Sequence, residues 1–175
     1  MEIKEVFKKE KDLIKKEIEV KGWIRKHRKQ KEIGFIDLSD GTTIKQLQIV
    51  YDKELKDFDE IQKIHFGSSI KVKGTLKKER DIELQAKEII LIGDCSEDYP
   101  IQPKKHSREF LREQAYLRPR TNTFSAVFKI RSECAFAIHK FMHEEGFVYV
   151  HTPILTKSDC EGGSQLFKVS TQDIY

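Results

Sequence analysis

Residues 18–25 read Ile-Glu-Val-Lys-Gly-Trp-Ile-Arg, with apolar Ile18, Val20 and Ile24 at even spacing and charged residues between most of them. A period of two is typical of a strand that buries one face in a core. We expect Trp23 to belong to that core as well. The charge rises along the strand, because residues 21–31 contain six Lys or Arg and no acidic residue. The segment therefore predicts a half-buried strand with a strongly basic end.

The flanking sequence predicts four more strands and a helix between the third and the fourth. The strands are predicted at residues 33–38, 44–51, 69–76 and 82–91, with Ile44 in the core, and helices at 53–64 and 3–16. Three strands, a helix and two strands in about 75 residues are the order of an OB-fold, a five-stranded barrel that binds oligonucleotides. The pattern alone also allows another small β-barrel.

The composition excludes several classes of protein. A length of 175 residues fits one large or two small domains. No apolar run approaches the roughly 18–20 residues of a membrane span, and the first residues lack the apolar core of a signal peptide. Cys95, Cys134 and Cys160 lie far apart, which predicts neither a disulfide framework nor a zinc site and favours a reducing cytoplasm. His139 and His143 lack the Glu of an H-E-x-x-H motif, so we expect no metal site.

The net charge of +4 conceals an uneven distribution. Residues 1–80 hold 21 basic and 15 acidic groups, residues 81–103 hold one and six, and residues 104–120 hold six and two. Two basic blocks separated by an acidic connector favour an anionic partner. Aromatic residues such as Phe35 beside the first basic block, with Gln48 on the third strand, favour single-stranded nucleic acid, which is held by cations and by stacking.

A hinge separates the predicted barrel from a second domain. Residues 93–103 contain a glycine, two prolines and three acidic residues, and no periodicity. We therefore assign residues 1–92 to the barrel, 93–106 to the hinge and 107–175 to the second domain.

The second domain opens with two predicted helices. The first begins after Ser107 as N-cap, and the second runs from about residue 123 to Gly146. The long helix has apolar residues along one face and is too long to be covered by the sequence that follows. Strands are predicted at residues 147–150 and 166–169, on either side of a glycine-rich loop at 158–164.

Four segments in this order resemble the class II aminoacyl-tRNA synthetases of the aspartate/asparagine/lysine subgroup, and the asparagine enzymes most closely. They are Gly-Trp-Ile-Arg at 22–25, His-Ser-Arg-Glu-Phe-Leu-Arg at 106–112, Leu-Arg-Pro-Arg-Thr-Asn at 117–122 and His-Thr-Pro-Ile-Leu-Thr-Lys-Ser-Asp-Cys-Glu-Gly at 151–162. The resemblance implies an α+β protein: an N-terminal five-stranded OB-fold barrel for the anticodon, a hinge and the start of an antiparallel-sheet catalytic domain.

The resemblance also implies an activity and partners. The family uses ATP and Mg²⁺ to convert asparagine to asparaginyl-adenylate and then esterifies the 3′ end of tRNA(Asn). The helix and strand at about 123–153 match the family's first motif, which implies a homodimer with Pro153 at the subunit boundary. A cytoplasmic location is expected.

Individual binding roles follow from the matched positions. The resemblance assigns Phe35 to stacking on the central anticodon uridine, Gln48 to reading that base, and Arg25 and Arg28 to the anticodon loop. Within the loop at 158–166, which closes on the amino acid in the family, Glu161 would receive the α-ammonium group beside Gly162.

Two departures limit these expectations. Residues 163–165 are Gly-Ser-Gln where bacterial asparagine enzymes usually have Ala-Gly-Glu, so an aspartate enzyme of the same subgroup stays an alternative. The chain has no Arg after Arg131, although the second and third motifs of the family supply arginines to the ATP phosphates. We therefore expect a fragment that is inactive alone, with no catalytic residue or metal ligand of its own. A freestanding OB-fold nucleic-acid-binding protein without enzymatic activity is the other alternative.

Overall fold

A computed structural model of the chain describes residues 1–79 and 81–155. They form two compact units, Met1–Arg131 and a second that begins at Ser132, and the predicted boundaries at residues 92 and 106 stay predictions. The described elements are α1 Ile3–Lys8, α2 Glu10–Leu13, β1 Glu17–Lys29, β2 Ile33–Ser39, β3 Leu47–Asp52, α3 Phe58–Lys63, β4 Ser69–Lys78, β5 Ile82–Gly93, α4 Arg108–Glu113, a 3₁₀ turn Arg118–Arg120 and α5 Asn122–Glu144.

The five strands form a closed barrel in the order β1-β2-β3-β5-β4. Neighbouring strands are antiparallel except for β3 and β5, which pair in parallel and close the barrel. With α3 between β3 and β4, this is the predicted OB-fold, which is confirmed.

Alternation along the strands creates the core, because every second side chain of a strand faces the same side. The even residues of β2, and the odd residues of β3, point inward and are buried. The helix α1 adds Ile3 and Val6, both fully buried, to the same core. Among the largest fully buried side chains are Tyr51, Ile3, Ile24, Ile36, Leu38, Leu47 and Ile49.

A β-bulge in β1 changes which residues face outward. In the pairing with β2, Ile24 lies opposite Leu38 and Lys26 opposite Asp37, so Arg25 is the extra residue. One extra residue reverses the inside–outside alternation beyond it. Without the bulge, Arg28 would share the inward face of Ile24; with the bulge, it lies on the outer face of the barrel.

Several local predictions were wrong. Ile44 precedes β3, which begins at Leu47, and its side chain is 60% exposed rather than part of the core. Trp23 is 43% exposed on the outer face. The helix predicted at residues 3–16 is two short helices that meet at Lys9, and that predicted at 53–64 is only α3. Residues 147–150 form no strand with any described part of the chain.

The helices after the barrel have the predicted caps, although α4 ends at Glu113 and not at Ala115 as predicted. The Ser107 side chain accepts a hydrogen bond from the Phe110 N–H and caps α4. After α5, Gly146 adopts φ +87°, a conformation that ends helices, and Phe147 N–H donates to the Met142 carbonyl. Along α5 no side chain is buried. Across the described residues, no helix has the length and apolar character that crossing a membrane requires.

Candidate nucleic-acid interface

The outer face of the barrel brings together three of the residues singled out from the sequence. Arg28 on β1 lies directly opposite Phe35 on β2. Gln48 on β3 lies opposite Asp37 on β2, two residues along from Phe35 and on the same face. The register of three neighbouring strands therefore places a cation, an aromatic ring and an amide side by side.

Arg28 connects these side chains. Its Nη2 donates a hydrogen bond to Gln48 Oε1 at 2.8 Å, and its Cζ lies 5.0 Å from the centroid of the Phe35 ring. The same Nη2 lies 4.0 Å from Asp37 Oδ1. The guanidinium group thus covers one face of the ring, at a distance typical of cation–π contacts.

Glu83 completes the cluster, and it is not among the candidate residues that the sequence indicates. Its Oε2 accepts a hydrogen bond from Gln48 Nε2 at 3.2 Å. Glu83 lies opposite Gln48 because β3 and β5 pair in parallel across 35 residues of sequence. The alternation of β5 marks Glu83 as outward-facing, but no local pattern shows which strand lies beside it. We call Arg28, Phe35, Gln48 and Glu83 the outer-face cluster.

A groove of about 860 Å³ borders this cluster, with Gln48, Glu83, Gln46 and Lys45 among the lining residues. Phe7 also lines it, and the Lys45 ammonium lies 5.5 Å from the centre of the Phe7 ring. Its walls therefore combine amide groups, both signs of charge and an aromatic surface. Carboxylates outnumber lysines in this lining, so the groove suits the hydrogen-bond donors of a base better than it suits phosphate groups; the acidic residues are Glu10, Asp37, Glu79, Asp81 and Glu83, and the lysines are Lys45 and Lys78.

Arg25 is not part of the outer-face cluster. As the bulge residue it lines a second, smaller groove with Trp23 and Arg120. Burial, and to a smaller extent the neighbouring Arg120 guanidinium, lowers the pKa of Arg25. Arg120 covers the exposed Trp23 ring, with its Cζ 5.7 Å from the ring centre.

His27 and Tyr51 support β1 from the inner side. His27 Nε2 lies 2.6 Å from Tyr51 Oη, and its Nδ1 lies 3.1 Å from the Ile64 carbonyl oxygen. Because a carbonyl only accepts, we assign the proton to Nδ1, which leaves Nε2 to accept from the tyrosine. Burial lowers the pKa of His27 to about 4 and raises that of Tyr51 to about 12. The pair is therefore neutral at neutral pH.

We expect acid to weaken the barrel through His27. Its folded-state pKa lies below the ordinary value of 6.5, so the unfolded chain binds more protons as the pH falls from about 6.5 towards 4. The expected loss of stability between pH 7.5 and 4.5 is about 1.5 kcal/mol. This value is smaller than the full shift of the His27 pKa would give, because the ring is partly accessible to water. Urea unfolding at both pH values measures it. In His27→Gln, which cannot titrate, the pH dependence should be shallower by that amount; an equal pH dependence would show that His27 does not contribute.

Comparisons with known proteins match both halves of the chain. A family model described as "OB-fold nucleic acid binding domain" matches residues 18–92, and one described as "tRNA synthetases class II (D, K and N)" matches residues 107–175. The asparagine--tRNA ligase of Acholeplasma laidlawii is 56% identical over 163 residues, or 90% of this chain and 35% of that protein. That of Clostridium tetani is 49% identical, over 98% of this chain and 38% of that protein.

Residues 107–175 match the class II tRNA synthetases.

Similar solved structures agree with these matches. The asparaginyl-tRNA synthetase of Pyrococcus horikoshii, complexed with asparaginyl-adenylate, is 26% identical with a TM-score of 0.80, over 93% of this chain and 39% of that one. The Entamoeba histolytica asparaginyl-tRNA synthetase is 25% identical with a TM-score of 0.75, over 92% of this chain and 39% of that one. This chain thus spans 35% and 38% of the length of the two curated relatives named above.

The remaining candidate residues belong to the later part of the chain. Pro153 is an exposed residue without regular secondary structure, in the second unit. Glu161 and Gly162, and the strand expected at residues 166–169, lie outside the described residues. In the part of the chain that the structure describes, no group of three or more His, Cys, Asp or Glu side chains could hold a metal ion.

Proposed function

We propose that this chain is part of an asparagine--tRNA ligase and that its barrel binds the anticodon of tRNA(Asn). The relatives named above and the two family matches support the ligase. The observation that carries the anticodon role is the fixed orientation of the Gln48 amide next to the Phe35 ring.

Gln48 is held in one of its two amide orientations. Its Oε1 accepts from Arg28 and its Nε2 donates to Glu83, so a flipped amide would direct NH₂ at the guanidinium and oxygen at the carboxylate. One Nε2 hydrogen and one Oε1 lone pair remain for a ligand. Uridine offers the complementary O4 acceptor and N3–H donor, whereas cytidine offers an N4–H₂ donor and an N3 acceptor. For a base bound with its 4-position group at Nε2, the fixed amide therefore favours uridine over cytidine.

Phe35 supplies the stacking surface for the same base. Its ring lies on the outer face, where the Arg28 guanidinium covers it at 5.0 Å. A base that stacks on this face takes the place of the planar guanidinium, and the Glu83 carboxylate then holds the Gln48 amide in its orientation. Stacking provides affinity for any base, and Gln48 provides the choice between bases.

The complete reaction requires more than these residues. In the proposed ligase, the asparagine carboxylate displaces pyrophosphate from ATP to form asparaginyl-adenylate, and a hydroxyl at the tRNA 3′ end then displaces AMP. The described residues offer no metal-binding group, and the sequence after Arg131 offers no Arg for phosphates. ATP and Mg²⁺ therefore do not fit the described residues, and we derive no step through them.

Other parts of the proposal rest on the family resemblance. Glu161 is proposed to receive the α-ammonium group of asparagine, and Gly162 is proposed as a second residue of the amino-acid site. A homodimer is proposed through residues 123–153, with Pro153 at the boundary; the exposed apolar side chains of Ile130, Ile138 and Phe141 on α5 support it. A cytoplasmic location is proposed on the same basis.

Binding of tRNA transcripts tests the anticodon role. We expect the chain to bind a transcript with a GUU anticodon about tenfold more tightly than one with GCU, because one mismatched base edge costs about 1–3 kcal/mol. Filter binding at fixed salt measures both affinities. Equal affinities would refute the anticodon role, and tighter binding of GUC than of GUU would favour the aspartate enzyme.

A further inference from the structure

The second groove lies where β1 meets the segment that leads into α5. Its volume is about 200 Å³, and Trp23, Arg25 and Arg120 line it together with polar residues such as Thr43 and Asn122. All of these residues belong to the unit Met1–Arg131. The outer-face cluster does not include them, and Arg120 has no role in the function proposed above.

Two guanidinium groups line this groove without a carboxylate to neutralise them. Among the residues that the structure describes, no acidic side chain lines the groove, and neither Arg25 nor Arg120 forms a salt bridge. Asp40, adjacent in sequence to the lining residue Gly41, accepts hydrogen bonds from Ile3 and Thr42 instead. Because like charges in one groove repel each other, an anionic ligand would stabilise the arrangement.

Neighbouring contacts hold the cations in place. Arg120 stacks over Trp23, and its Nη1 donates a hydrogen bond to Tyr99 Oη at 3.4 Å. Lys129 on α5 donates to the Gly41 carbonyl oxygen at 3.1 Å, and Gly41 lines the groove. A third positive charge therefore lies at its edge.

Size and position indicate which anion fits. A volume of about 200 Å³ is below the roughly 300 Å³ at which small-molecule sites begin, so a phosphate group fits better than a whole nucleotide. Gln46 lines both this groove and the groove beside Gln48. An RNA strand bound to the outer-face cluster can thus continue into the second groove.

We propose that Arg25 and Arg120 bind a backbone phosphate of the tRNA. This contact is separate from the contacts that Phe35 and Gln48 make with the base. The proposal rests on the proposed function, because it requires RNA on the barrel. Phosphate contacts carry no sequence information. This site therefore adds affinity for the tRNA without adding discrimination between anticodons.

Substitution of Arg120 separates phosphate binding from recognition of the anticodon base. In the 175-residue chain, Arg120→Gln should weaken binding of the GUU transcript about fivefold and reduce the slope of log affinity against log salt by about 1. The ratio of affinities for the GUU and GCU transcripts should not change. Arg120→Lys keeps the charge and should recover most of the affinity, which a purely structural role in stacking on Trp23 does not predict.

The controls distinguish failure of this site from failure of the anticodon role. Lys73→Gln removes the same charge from β4, where Lys73 Nζ lies 3.0 Å from Glu17 Oε1, and should change the affinity by less than about twofold. Unchanged affinity and salt slope in Arg120→Gln would overturn the phosphate site alone, whereas equal affinity of the wild type for GUU and GCU would refute the anticodon role. Binding of poly-glutamate that depends on Arg120, with RNA binding that does not, would identify an acidic protein segment as the ligand and overturn the proposal.

Discussion

Gly34→Ala is expected to destabilise the barrel by about 4 kcal/mol, a large fraction of the roughly 5–15 kcal/mol that stabilises a domain. A Cβ atom at Gly34 would lie less than 3.0 Å from three atoms of the Tyr51 side chain. The backbone of Gly34 is not in the left-handed region, so the expected cost comes from the clash and not from the backbone.

Tyr51 cannot move away without breaking other contacts. Its side chain is fully buried, its hydroxyl lies 2.6 Å from His27 Nε2, and its ring centre lies 5.5 Å from that of Phe58. Overpacking costs about 1–3 kcal/mol, and a buried polar group that loses its partner costs a similar amount. Together these costs give the expected loss of stability.

Urea unfolding of matched variants measures this prediction. Gly41→Ala is the control, because Gly41 has open space around its Cα but a φ of +81°, and should cost only about 1 kcal/mol. In a Tyr51→Leu background, Gly34→Ala should cost less than half as much, since the ring is absent. A cost below about 1 kcal/mol in the wild-type background would show that Tyr51 repacks freely.

The barrel could be predicted from sequence because its strands bury alternate residues. In β2 the inward residues Ile36 and Leu38 and the outward Phe35 follow directly from a period of two. The order of strands and helix along the chain then distinguishes an OB-fold from most other arrangements. The start of α4 was predictable because capping is local: the Ser107 side chain acts on an N–H group three residues away.

The arrangement of the candidate site depended on contacts between residues distant in sequence. The bulge at Arg25 has no composition signal of its own, yet it decides that Arg28 faces outward and that Arg25 lines a different groove. The period of two already places Trp23 on the face opposite Ile24, but only the structure shows that it lies there under Arg120, 97 positions later in the chain. The partner of Gln48 is Glu83, which only the parallel pairing of β3 and β5 reveals.

Phe35→Ala is expected to weaken binding of the GUU transcript roughly 30-fold, or about 2 kcal/mol, because stacking of one base on an aromatic ring contributes about 1–3 kcal/mol. The affinity for the GCU transcript should fall by the same factor, since every base presents a stacking face. The ring lies on the outer face and not in the core, so the variant should unfold at the same urea concentration as the wild type.

Two further substitutions separate stacking from base recognition. Phe35→Tyr keeps the ring and should retain the affinity, whereas Phe35→Leu keeps an apolar side chain without a ring and should behave like Phe35→Ala. Glu83→Gln releases the Gln48 amide from its single orientation, because the new amide can donate as well as accept. That variant should keep stacking but lose most of the preference for GUU over GCU. If Phe35→Leu binds the GUU transcript as tightly as the wild type, Phe35 is not the surface on which the anticodon base stacks.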